Sequence, residues 1–134
     1  MKEERLVPAQ YGDGEPIDET VIAMARSALA TRRRRDRVFA PGLFAEPAWD
    51  MLLDLLIAEA ENRRLSVSST CLAAAVPQTT ALRWLNYLVE SGLLVRVQTG
   101  SEGRSTVVRL TPKARRQLVR TLEPAASAAR DAFG

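Results

Sequence analysis

After Gly92 the spacing of apolar residues along this chain changes from a period near 3.6 to a period of 2. Before that glycine, stretches such as Trp49, Leu52, Leu53, Leu56, Ile57 and Ala60 repeat at helical intervals. After it, residues 94–98 and 105–110 alternate, separated by Thr99-Gly100-Ser101-Glu102-Gly103. A two-stranded hairpin with a glycine-containing loop follows. A lone hairpin is marginal in water and must lie against something apolar. The helices before it supply that surface.

The helices can be placed from their caps and stops. Residues 1–16 hold Pro8, Gly12, Gly14 and Pro16 without apolar periodicity and read as a flexible lead-in. A helix over 17–37 follows, with Ile17, Val21, Met24, Ala25 and Ala28 on one side, ending before Pro41-Gly42. The next runs from Pro47 to about Asn62, with Asp50, Asp54 and Glu61 off its apolar stripe and therefore expected in solvent. Serine hydroxyls at 66, 68 and 69 can cap a short helix over 69–75. The break Val76-Pro77-Gln78 leads into a helix over 79–91, which Gly92 stops as a left-handed cap. Thr111-Pro112 opens a last helix carrying Leu118, Leu122, Ala126, Ala129 and Phe133, in which Pro124 is expected to make a kink or break.

Two short helices three to four residues apart form a helix-turn-helix, and the hairpin behind them is its wing. The fold class is therefore mainly α with a small β-hairpin (α+β), a winged helix-turn-helix. One domain spans 17–134, with a core at 47–111 and flanking helical segments at 17–40 and 112–134. Both flanking helices carry apolar stripes that the core does not need, which points to a homodimer joined through them.

Charge is unevenly spread. Residues 1–60 carry 8 Lys and Arg against 11 Asp and Glu, whereas residues 61–134 carry 11 against 5. A basic second half suits a polyanion. Histidine is absent and Cys71 is the single cysteine, so an intramolecular disulfide and a structural zinc site are excluded and the commonest general base is missing. Gly12 and Gly14 form no nucleotide-binding motif, and Asp50 and Asp54 are expected as ordinary surface carboxylates. No enzyme, cofactor or metal is expected. No apolar run is long enough for a membrane span or a secretory leader, so the expected location is the cytoplasm.

The 79–91 helix divides into two arcs at about 100° per residue. Ala81, Leu82, Leu85, Leu88 and Val89 form the expected core arc. Thr79, Thr80, Arg83, Asn86, Tyr87 and Glu90 form the opposite one, with Trp84 on the boundary and expected in the core. Short polar side chains at a helix N-terminus, followed by an arginine, suit a recognition helix in a DNA major groove. Arg83 can address guanine or phosphate, and Gln78 can address adenine. Thr79 and Thr80 can cap as well as contact, and Tyr87 can reach a phosphate or pack under the wing. Arg104 in the hairpin loop is the candidate minor-groove or phosphate contact, and Ser69 and Thr70 are candidates for backbone phosphate. The Arg32–Arg37 run reads as a solvated helix end or a tie to an acidic face, and Cys71 as a small buried residue.

From about Trp49 to Leu118 the chain resembles the MarR family of bacterial transcription regulators. The likeness lies in the stretch 72–85, Leu-Ala-Ala-Ala-Val-Pro-Gln-Thr-Thr-Ala-Leu-Arg-Trp-Leu, in residues 88–94, in Arg104, and in Leu110-Thr111-Pro112-Lys113-Ala114. Ala75 stands where such motifs often have glycine, Ala114 stands where a glycine usually follows the Leu-Thr pair, and the wing has only Glu102-Gly103-Arg104 in place of the family's acidic and double-arginine cluster. The resemblance implies double-stranded DNA as partner, terminal dimerisation helices, and room for a small-molecule effector between the dimer and DNA-binding parts. The competing expectation is a winged helix serving protein–protein contact in the transcription machinery. An apolar or acidic exposed arc on the second short helix would mark that alternative.

Overall fold

The computed structural model describes residues 15–100, 103 and 105–133. Most of the expected lead-in, together with Arg104 in the wing loop, lies outside the described residues. The elements are α1 (Glu19–Val38), α2 (Pro47–Ala60), β1 (Leu65–Ser66), α3 (Val67–Leu72), α4 (Gln78–Glu90), β2 (Leu94–Thr99), β3 (Ser105–Leu110) and α5 (Pro112–Phe133).

Local chemistry fixes most boundaries. The Asp18 carboxylate accepts from the Thr20 backbone N–H and caps α1. The Ser66 hydroxyl accepts from the Ser69 N–H and caps α3. Thr111 caps α5 by accepting from the Ala114 N–H at 3.2 Å, while its hydroxyl donates to the Gly92 carbonyl at 2.7 Å. That one threonine therefore joins the start of α5 to the end of α4. Both α2 and α4 end in Schellman motifs, with the Arg63 N–H on Ala58 and the Leu93 N–H on Leu88. The left-handed residues are Asn62 (φ 58°) in the first and Gly92 (φ 78°) in the second.

The wing is larger than a hairpin. β3 lies in the middle of a three-stranded antiparallel sheet, pairing with β2 from Leu94↔Leu110 to Thr99↔Ser105. On its other edge Leu65 and Ser66 pair with Val108 and Val107. Two residues have no periodicity of their own, so β1 left no trace in the sequence.

The core is continuous through all the helices. α2 lies at its centre, with Met51, Leu53 and Leu56 fully buried. It meets α1 on one side and α4 and β3 on others. Leu85 of α4 and Leu94 and Leu110 of the sheet close that core. The apolar stripes of α1 (Val21, Ile22, Ala25, Leu29) and α5 (Leu118, Leu122, Ala126) are buried in the same cluster, and the two helices pack against each other. Those stripes thus satisfy one another within the chain rather than standing unpartnered. α5 runs unbroken through Pro124, whose exposed ring replaces a single backbone donor. Packing of the stripe on either side of that proline holds the helix together. No helix among the described residues is long and apolar enough to cross a membrane.

Candidate nucleic-acid interface

α3 and α4 form the helix-turn-helix. Its turn passes through Ala75, which takes φ 57°, the left-handed region that glycine occupies without strain. Pro77 precedes α4 and no side chain caps that helix. The first backbone N–H groups of α4 are thus left to an outside acceptor.

The face of α4 buried on the core is narrower than the sequence suggested. Ala81, Leu85 and Leu88 are buried and Val89 is half-buried. Leu82 is 37% exposed and Trp84 40% exposed, so neither is a core residue. Both were expected inside, but they lie at the two margins of the arc, where the helices and strand packed on α4 no longer reach. Gln78, Thr79, Arg83 and Tyr87 are exposed, and Thr80 and Asn86 half-buried. Thr79, Thr80, Arg83 and Tyr87 stand together on the side of α4 away from the core; Gln78 is exposed as the first residue of the helix, in line with Leu85, and Asn86 leans to the wing.

Asn86 is also engaged. Its side-chain oxygen accepts from the guanidinium of Arg96 on β2. Arg96 was not singled out in the sequence, although its place as the polar residue between Val95 and Val97 was the available signal. On the opposite margin of α4, Trp84 and Tyr87 meet edge to face, with ring centroids 5.8 Å apart.

The two α3 candidates part company. Ser69 is exposed. Thr70 is fully buried, and its hydroxyl donates to the Ser66 carbonyl at 2.8 Å. It cannot reach a phosphate: it fills the core side of a six-residue helix too short to offer a second outward face.

The arginine run is a tie inward at one position. Arg32 is buried and pairs with Asp50, which is 4% exposed, and with Glu46 at 3.5 Å. It also donates to the Phe44 carbonyl at 3.0 Å. Asp50 is therefore not the surface carboxylate expected from its place off the stripe, because α1 and the loop after it cover that side of α2. Burial pushes the Asp50 carboxyl above its usual range, and Arg32 offsets this only in part. Arg35 lies over the Phe44 ring at 4.9 Å, while Arg33, Arg34 and Arg37 are exposed. Cys71 is buried as expected, and burial pushes its thiol up. Where α1, α2 and the start of α5 meet, a broad cavity of about 700 Å³ is lined by Ile17, Ile22, Arg26, Leu56 and Glu59 among others.

No protein-family model matches this chain, and no curated protein matches it. Among solved structures it is similar to a MarR family transcriptional regulator from Silicibacter pomeroyi DSS. That likeness covers 81% of this chain and 69% of the other at 20% identity, with a TM-score of 0.50. The resemblance carried by residues 49–118 thus extends to the three-dimensional architecture: the chain has the winged helix-turn-helix fold seen in that MarR family regulator.

Proposed function

We propose that this chain is a sequence-specific, double-stranded-DNA-binding transcription regulator acting as a homodimer. In this reading α4 enters the major groove and the wing lies on the minor groove or the backbone. The observation that carries it is the outward arc of α4, where Thr79, Arg83 and Tyr87 are exposed beside an uncapped helix start that also exposes Gln78. Backbone amides and Thr79 would hold phosphates, Gln78 would read a base edge, and Arg83 would address a guanine edge or a phosphate. Arg96 adds a cation on the wing side of the same helix. The solved regulator with this fold supports the same class of activity.

Dimerisation would place two copies of α4 on half-sites about 10 base pairs apart. Val38, Phe39 and Phe133, at the ends of α1 and α5, remain 50% or more exposed and are available for a second copy. Light scattering at micromolar concentration checks this part, and a monomer would refute it.

The decisive experiment is anisotropy with random-sequence duplex DNA over a salt series, for the wild type and Arg83→Ala. Affinity should fall steeply with salt, and a lost phosphate contact should flatten the log–log slope by about 1. No binding at low salt would overturn the reading and favour a protein-contact module.

A further inference from the structure

We infer that Trp84 and Tyr87 form a thymine-reading flank of the recognition helix; this rests on the DNA-binding reading above. Trp84 is 40% and Tyr87 59% exposed, although they are the two largest side chains of α4. Their edge-to-face contact, at an interplanar angle of 87°, fixes each ring against the other while covering neither. With Arg83 they line an open, mainly apolar notch of about 390 Å³. No other described residue lines it.

The occupant suited to so open and apolar a notch presents an apolar group close to negative charge that the Arg83 guanidinium can meet. The major groove offers one group of that description, the C5 methyl of thymine, flanked by backbone phosphates. The placement on the helix agrees. At about 100° per residue, Trp84 lies roughly 160° around α4 from Asn86, which the wing residue Arg96 holds. The recognition helix therefore has a polar flank against the wing and an aromatic flank on the far side. Arg83 and Tyr87 lie between the two, so the thymine should stand next to the position that Arg83 addresses.

The test starts from a duplex selected out of a random pool by the wild-type protein. Each thymine is then replaced singly by deoxyuridine, which removes only the methyl group. The wild type should lose about 4-fold in affinity at one or two positions per half-site, the value expected for one buried methyl. Trp84→Ala should bind more weakly and be indifferent to the same replacements, and Trp84→Phe should retain part of the discrimination. Losses from Trp84→Ala and from deoxyuridine that simply add would overturn the thymine flank and leave DNA binding standing. A wild type that binds no duplex at low salt would overturn both. Should Trp84→Ala fail to fold, Trp49→Phe leaves Trp84 as the sole indole. Its fluorescence should respond to the thymine duplex and less to the deoxyuridine one, and equal responses would overturn the inference.

Discussion

The guanidinium of Arg96, on the second strand of the sheet, donates to the side-chain oxygen of Asn86 in α4. A wing residue thereby holds a residue of α4, and the helix-turn-helix and the wing are joined by a side-chain contact as well as by the core beneath them. One surface hydrogen bond of this kind contributes about 0.5–1.5 kcal/mol. Asn86→Ala and Arg96→Ala should each lower stability by that amount, and the double variant should lose no more than either alone. Urea unfolding of the four proteins measures it. Fully additive losses would mean that the pair is not coupled.

Arg32 and Asp50 are a buried pair, with side chains 9% and 5% exposed. Removing one partner leaves the other charge without compensation. Arg32→Met should therefore cost about 3–5 kcal/mol, whereas Arg32→Met with Asp50→Leu should recover most of that loss. Denaturant midpoints of the two variants decide the matter. A double variant as unstable as the single one would show that the pair does more than neutralise a buried charge.

Two carboxylates should give the fold opposite responses to pH. Burial raises the Asp54 carboxyl above its ordinary value, only partly offset by Arg33 and Arg63. The folded state then holds that proton more tightly than the unfolded chain. The stability so gained is complete below the unfolded value of about 4, and is lost as pH rises through the folded value. The exposed Glu61 carboxyl is lowered by hydrogen bonds from Arg63 and Arg26. Its contribution is present above the unfolded value of about 4.3 and is lost as pH falls through the folded one. Thermal melts between pH 3 and 7 should show Asp54→Asn gaining relative to wild type as pH rises, and Glu61→Gln gaining as it falls. Parallel profiles would contradict both assignments.

Ala75 holds the helix-turn-helix turn in the left-handed region, at φ 57°. An L side chain is strained there and glycine is not. Glycine also gives the unfolded chain more freedom, which removes part of the gain. Ala75→Gly should therefore stabilise the protein by about 0.5–1 kcal/mol, seen as a rise of a few degrees in Tm. A lower Tm would show that the methyl of Ala75 has packing value in the turn.

The sequence by itself determined where the chain turns and what every element except β1 becomes. Gly92 and Thr111-Pro112 delimit the wing, the change of period identifies its strands, and the stripes at Leu52–Ile57 and Leu118–Ala126 identify helices. These signals are short-range: caps, left-handed residues and apolar spacing act within a turn or two of the chain. For the same reason Thr79, Arg83 and Tyr87 could be placed on one exposed arc before any packing was known.

Only the tertiary structure decided how far each buried face extends. Asp50 lies off the apolar stripe of α2, yet α1 and the loop after it cover it, and Arg32 supplies its charge partner. Thr70 reads as an exposed helix-start residue but lies wholly inside, while Trp84 and Leu82 read as core and emerge at the margins of α4. β1 exists because β3 offers it an edge, and Asn86 is held because Arg96 arrives from another element. Each of these depends on a neighbour brought close only by the folded chain. Helical spacing states which way a side chain points, and the partner it meets there decides whether it becomes core, contact or surface.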